Sequence, residues 1–219
     1  LVTDNIWAYQ RHNYGYRNLR SFPLMPHFHG LPYIDVRLSF NSFIPSDLDE
    51  ELAGRLVDYY IERLLNEPTL HDKVEFEIVF SCYTLDLPDR LKASKEAGFS
   101  DNECRAISES LRRLTNRIIH HENGLWRMDA SKLDKLISRR EKLLGSDINS
   151  LEQVYWLLED TKRYGTLPFA GLARAGFIAV QMLRSLVSIG VFSQSDYDAF
   201  LAGISTVSGR LAHDRSSMS

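Results

Sequence analysis

From Leu167 to Val187 the chain is apolar for about six helical turns, at 3.6 residues per turn. Between Phe169 and Gly190 only Arg174, Gln181, Arg184 and two serines interrupt it. Ala170, Gly171, Ala173, Ala175, Gly176 and Ala179 leave room for other backbones. A helix apolar nearly all round is covered by its neighbours, so this one is predicted to be the central helix of a bundle. Thr166 is the expected N-cap, Pro168 sits just inside the start, and Gly190 closes the helix. The turn Arg163-Tyr164-Gly165-Thr166 leads into it.

Alternation of period two marks two strands. Ile34, Val36, Leu38 and Phe40 alternate with polar residues within Tyr33–Phe43. Val74, Phe76, Ile78 and Phe80 do the same within Lys73–Tyr83. The predicted helix between them, Asp47–Asn66, permits a parallel pair with a right-handed crossover; one sequence leaves the pairing order open. That helix has Ser46 and Asp49 as its capping box and stops at Asn66-Glu67-Pro68.

Other helices are predicted over Ile6–Tyr14 (capped by Thr3 or Asp4), Leu87–Ala97, Asp101–His121 (capping box Ser100/Glu103) and Ala130–Leu144 (capped by Asp129). One capped by Ser150 runs through Leu158, and a last one runs from Ser193 and Asp196 through Ile204. The tail Asp214–Ser219 is expected to fray. Pro23, Pro26, Gly30 and Pro32 make Ser21–Pro32 a loop and the one candidate boundary, between an aromatic and arginine-rich segment, 1–32, and a mainly helical domain, 33–219. The expected class is α+β, mainly α-helical: a helical bundle around a buried central helix, with a small two-stranded sheet.

Composition narrows the function classes. The 219 residues are 44% hydrophobic and 25% charged, ordinary for a globular chain. A net charge of −3 gives no support to nucleic acid or an anionic membrane as partner. Cys82 and Cys104 lack zinc or redox spacing and suit free thiols in a reducing cytoplasm, Cys82 buried and inert. No secretory signal is present. Leu167–Val187 has the length of a membrane span, but Arg174, Gln181 and Arg184 inside it favour a buried core helix. The chain opens on Leu1 rather than Met, as a fragment or a processed product would.

No Walker loop, dinucleotide fingerprint, nucleophile elbow or zinc-protease motif occurs. His27 and His29 lack a third metal ligand, and His120-His121 suits a helix C-terminus. The candidate groups are anion-holding. Arg17 and Arg20 lie in a stretch interleaved with tyrosines, where solvated arginines are the plainer reading. Arg37 is a third cation. The turn with Arg163, Gly165 and Thr166 offers backbone N–H groups at a helix start, although most such turns bind nothing. Arg174 needs a partner if buried: an acid such as Asp35 or Glu75, or a ligand anion.

Five blocks carry a family resemblance: Thr3–Pro26 (TDNIWAYQRHNYGYRNLRSFPLMP), Gly30–Pro45 (GLPYIDVRLSFNSFIP), Asp72–Pro88 (DKVEFEIVFSCYTLDLP), Leu111–Arg127 (LRRLTNRIIHHENGLWR) and Tyr164–Val187 (YGTLPFAGLARAGFIAVQMLRSLV). Together they resemble the central portion of bacterial phosphoenolpyruvate synthase-like, PEP-utilising enzymes. The resemblance implies a parent with an upstream ATP-grasp-like nucleotide-binding domain, using ATP and Mg2+, and a downstream swivelling phosphohistidine domain. Both would be partners in the same chain. This segment has neither a glycine-rich ATP loop nor the phosphohistidine motif, so no catalytic residue is carried over and no cofactor is expected here. The expectation is a substrate-side helical domain holding a small phosphoryl acceptor, with no nucleic acid and no membrane. The alternative from another class is a freestanding helical interaction module. The two differ in one property: a domain cut from its parent exposes an apolar patch and self-associates.

Overall fold

Polar side chains at the predicted breaks start most of the helices. In the computed structural model, which describes residues 5–204, about 70% of the chain is helical, with nine α-helices and one two-stranded antiparallel sheet among those residues. The expected mainly helical α+β class holds. The helices are α1 (Trp7–Tyr14), α2 (Val36–Asn41), α3 (Glu50–Asn66), α4 (Leu87–Glu96), α5 (Asp101–Ile119), α6 (Leu125–Leu144), α7 (Ser150–Asp160), α8 (Leu167–Ser188) and α9 (Gln194–Gly203). Ser100 and Glu103 cap α5 reciprocally, and Ser193 and Asp196 cap α9 in the same way. Four caps differ from expectation, Thr166 (below) among them. Asp49, not Ser46, caps α3; Asn149, not Ser150, caps α7; and Gly124, not Asp129, precedes α6. A β-carbon at Gly124 would strike the carbonyls of Ile118 and His120, so the α5–α6 corner needs glycine. The proposed caps Thr3 and Asp4, and the tail Asp214–Ser219, lie outside the described residues.

Neither predicted strand forms. In the first, the Asp35 carboxylate accepts a hydrogen bond from Leu38 N at 2.8 Å and starts α2. Phe40, Phe43 and Ile44, at helical spacing, turn inward, while Ile34 and Val36 stay exposed. The 3.6-residue period wins over the two-residue period because it buries the larger side chains. The sheet is instead a hairpin inside the predicted loop: β1 (His27–Phe28) pairs with β2 (Leu31–Pro32), and His29 and Gly30 form its two-residue turn with φ of 51° and 80°.

In the second stretch, Val74–Ile78 makes a π-helical turn. Beyond it the chain is extended but joins no ladder. Its buried backbone groups are satisfied by side chains instead. Phe80 N donates to the Tyr60 hydroxyl at 3.1 Å, Tyr83 N to Thr115 Oγ1 at 2.8 Å and Leu85 N to Ser185 Oγ at 3.2 Å. The Ser81 carbonyl accepts from the Tyr16 hydroxyl at 2.8 Å and from Arg174 Nη2 at 3.3 Å.

This extended segment lies between two cores. The larger one joins α2, α3, α4 and α5 through residues such as Phe40, Leu56, Tyr60, Phe80, Leu91 and Ile107. Tyr60 meets Phe40 and Phe80 edge-on, with ring centroids 6.0 and 5.8 Å apart. The smaller one joins α1, α5 and α8 through Tyr14, Tyr16, Cys82, Leu114, Ile118 and Ile178.

The turn expected before the central helix is absent. α7, a π-helical stretch Thr161–Thr166 and α8 form one helix, Ser150–Ser188. Pro168 explains the π-helical stretch: it has no N–H to donate and its ring crowds the carbonyl one turn back. The strain is relieved by a wider turn in which Leu167 N–H reaches back five residues to the Lys162 carbonyl. Thr166 is helical and caps nothing.

α8 packs against α1, α5, α6 and α9, so it is central. It is not enclosed. Its buried stripe is Gly171, Arg174, Ile178, Gln181 and Ser185, one face at helical spacing. Phe169 and Phe177 stand outward at 69% and 43% exposure. The long helix is apolar enough by length and composition to cross a membrane, and only 28% of its most apolar window is buried.

Candidate functional site

α8 turns its polar residues inward because the extended segment beside it needs partners. The Arg174 guanidinium is 1% exposed and is ion-paired with Glu75, itself 16% exposed. It also lies over the rings of Tyr16 and Phe43, 5.6 and 5.7 Å from their centroids. Burial works to lower the pKa of Arg174, but Tyr16 and Glu75 outweigh it and hold it above its ordinary value. Arg11 shares the same two rings, at 5.5 and 4.5 Å. Burial first, and then the Arg174 charge, push Arg11 down to about 10, so it stays a cation at neutral pH. Of the two acids named as partners for Arg174, Glu75 is the one used; Asp35 is spent on capping α2. Burial pushes the Cys82 thiol up to about 11, which leaves it protonated and inert.

One turn away on α8, Gly171 admits a second buried pair. The Tyr14 hydroxyl donates to Asp129 Oδ2 at 2.7 Å, and Lys132 Nζ holds Oδ1 at 2.7 Å. A β-carbon at Gly171 would run into both the hydroxyl and the carboxylate. Burial and this hydrogen bond raise the Tyr14 pKa. Two α6 cations cover the aromatic ring of the π-helical stretch. Lys135 and Arg139 lie over the Tyr164 ring at 4.7 and 5.2 Å, and Arg139 Nε holds the buried Asp160 at 2.8 Å.

The remaining predicted residues distribute over the surface. Arg17 and Arg37 line one cleft of about 670 Å³, between the segment after α1 and the start of α2. Arg17 donates to Asn41 Oδ1 at 2.9 Å and is ion-paired with Glu50. Arg37 bonds Asp58 at 2.6 Å. Arg163 lines a separate cleft of about 650 Å³ with Tyr9, Glu159 and Lys162. Arg20 stacks over Tyr9 at 5.3 Å. Gly165 does not form an anion nest: it lets Leu136 of α6 approach, where a β-carbon would sit 3.2 Å from Cδ2. With Thr166 inside a continuous helix, its N–H groups serve helical hydrogen bonds and no helix dipole ends there.

Four of the five predicted arginines therefore face a carboxylate: Arg17 with Glu50, Arg37 with Asp58, Arg163 with Glu159 and Arg174 with Glu75. An anion arriving at any of them competes with a resident acid. No cluster of three or more metal-ligating side chains occurs among the described residues.

The feature that stands out on the surface is apolar. Met128 and Ile137 of α6, Leu151, Val154, Tyr155 and Leu158 of α7, Phe169 of α8, Val191 beyond it, and Phe200 of α9 are all more than half exposed. No family model, curated protein or solved structure matches this chain.

Proposed function

We propose that this chain is a docking domain, the substrate-side helical part of an ATP-dependent phosphoenolpyruvate synthase-like phosphotransferase. One observation carries it: the apolar residues exposed on α6, α7, α8 and α9, which the described residues leave uncovered. Exposed apolar area on that scale marks a surface that another body covers. The blocks Thr3–Pro26, Gly30–Pro45, Asp72–Pro88, Leu111–Arg127 and Tyr164–Val187 suggest which body. In PEP synthase-like enzymes the central portion lies between a nucleotide-binding domain and a swivelling phosphohistidine domain. On this reading the open helices rest on one of those domains, ATP and Mg2+ act on the neighbour, and the clefts with Arg17, Arg37 and Arg163 face the phosphoryl acceptor.

Two experiments test the two parts. For docking, the chain alone is measured by light scattering across a concentration series, beside a Leu151→Glu, Phe169→Glu variant. Self-association that the variant abolishes supports an uncovered docking face; a monomer that binds no apolar dye overturns it. For the phosphotransferase, the source DNA on both sides of this reading frame is sequenced. An ATP-grasp-like segment upstream and a phosphohistidine segment downstream in one frame support the reading. A start codon just before Leu1 and a stop codon just after Ser219 sink it, and leave the freestanding interaction module, which the same apolar face would equally serve.

A further inference from the structure

Of the six buried side-chain polar atoms that lack a hydrogen-bond partner among the described residues, three belong to residues lining one cavity. They are Thr84 Oγ1, Asp86 Oδ1 and Gln181 Oε1, and all three are oxygens. The cavity holds about 290 Å³ between the start of α4 and the C-terminal half of α8. Thr84 and Gln181 are 1% and 5% exposed. Buried polar atoms are nearly always paired, so three unpaired ones around one space call for a partner from outside the chain.

The neighbours fix what each group has left to offer. Gln181 Nε2 donates to Ser81 Oγ at 3.0 Å, and Ser81 Oγ donates onward to the Glu75 carbonyl, so the amide oxygen is the free end. Ser185 lines the cavity too, but its hydroxyl proton is spent: Oγ donates to the Met182 carbonyl at 2.7 Å and accepts from Leu85 N. Asp86 stands where α4 begins, yet its carboxylate caps no backbone N–H. The unspent buried atoms are thus a carboxylate oxygen, an amide oxygen and a hydroxyl, and the Glu77 carboxylate lies on the same lining. Two acceptors and a hydroxyl ask for a ligand rich in N–H donors.

The same cavity carries cations. Arg90 and Arg184 line it, and neither has an ion-pair partner among the described residues. Each is held over an aromatic ring, Arg90 5.3 Å from the Phe80 centroid and Arg184 4.9 Å from that of Phe76. They differ in this from four of the five arginines singled out in the sequence, which already face acids.

We infer that this cavity binds a small zwitterion, a primary ammonium joined to a carboxylate or phosphate. The ammonium meets Asp86, Gln181 and Thr84, and the acid meets Arg90 and Arg184. The site stands apart from the docking reading, since it uses no residue of the open apolar face.

Titration calorimetry on the full chain tests it with glycine, β-alanine and phosphoethanolamine, beside their trimethyl forms glycine betaine, β-alanine betaine and phosphocholine, which keep the charges but have no N–H. Saturable binding is expected from at least one amine, weakened about tenfold or more in the matching trimethyl compound, because the buried acceptors then go unpaired. Binding by the carboxylates or by phosphoethanolamine identifies the acid. Asp86→Asn and Arg184→Met should each weaken it about tenfold or more. Thr84→Val, nearly the same shape, should weaken it less while leaving the melting curve in place. No saturable binding up to roughly 10 mM overturns the site. So does equal binding of the trimethyl compounds, or binding untouched by both charge variants in folded protein.

Discussion

In α3 the residues turned inward are the apolar ones: Leu52, Leu56 and Tyr60 lie at 7% exposure or less. In α8 the inward stripe includes Arg174, Gln181 and Ser185, and Phe169 stands 69% exposed. Both helices are amphipathic, but they face opposite ways. α3 closes a core that the chain builds for itself. α8 faces a backbone segment that has no ladder partner, so its inner face must supply hydrogen bonds beside Ile178, and Phe169 and Phe177 are left for the outside. A helix that is polar inward and apolar outward needs two neighbours. One is the segment Val79–Leu85, and the other, on the proposed reading, is a second body that would cover α6, α7, α8 and α9.

The sharpest way to break the comparison is at Arg174. Arg174→Met should cost about 3–5 kcal/mol, because it strands the Glu75 carboxylate and takes a donor from the Ser81 carbonyl. Adding Glu75→Gln should return part of that loss, since no uncompensated charge then remains. Denaturant unfolding of the single and double variants reads this. A double variant no more stable than the single one would mean that Arg174 matters chiefly through packing on Tyr16 and Phe43.

Next in size is a pair of leucines. Leu56→Ala, in the core of α3, should cost about 2–5 kcal/mol through a buried cavity. Leu151→Ala, on α7 at 80% exposure, should stay within about 0.5 kcal/mol of the parent in the same measurement. Equal losses would mean that the α7 face is covered in solution, for instance by a second copy of the chain.

These contrasts explain which parts of the molecule were legible in the sequence. Caps acting over three residues were legible, as at Ser100–Glu103 and Ser193–Asp196, because the partners are neighbours in the chain. For Arg174 the sequence left Asp35, Glu75 or a ligand anion open, and the structure selects Glu75. The two strands were not legible. Alternation at Tyr33–Phe43 lost to an Asx cap and to Phe40, Phe43 and Ile44 at helical spacing. Val79–Leu85 is extended as alternation suggests, but its hydrogen bonds go to Tyr60, Thr115 and Ser185, far along the chain. The turn at Arg163–Thr166 failed because proline normally marks a helix start, and here a π-helical turn absorbs it. Arg174, Gln181 and Ser185 sit at spacings of seven and four, one face of a helix. That spacing was the available sign that the inner face is polar.

Gly171 offers a smaller and more local test. Its lack of a β-carbon lets α8 close over the Tyr14–Asp129 hydrogen bond. Gly171→Ala should cost about 1–3 kcal/mol by overpacking, more than the helix-propensity gain of about 1 kcal/mol returns. Ala substitution at Gly176, where a β-carbon meets nothing within 4 Å, should instead stabilise slightly. Melting curves of the two variants moving the same way would show that the close approach of α1 and α6 to α8 at Gly171 does not limit packing.

The smallest expected effect belongs to the well-packed half and depends on pH. Asp47, in the loop before α3, accepts from Arg113 Nε and Nη2 at 2.9 and 2.8 Å and from the buried Ser110 hydroxyl. Burial pulls its pKa upward, but the Ser110 and Arg113 hydrogen bonds and the Arg113 charge outweigh it, so the folded value lies below the ordinary 3.8. A depressed carboxylate stabilises the fold fully above its unfolded pKa, and that contribution is lost as pH falls through the folded value. Asp47 is 48% exposed, so solvent screening limits the effect to about 1 kcal/mol or less. Asp47→Asn should therefore be less stable than the parent by that amount at neutral pH, and the gap should narrow as pH falls below 3.8 and close once it passes the folded value. A gap that does not narrow as pH falls below 3.8 would mean that asparagine fails at Ser110 through geometry, and that charge on Asp47 contributes little to joining α3 and α5.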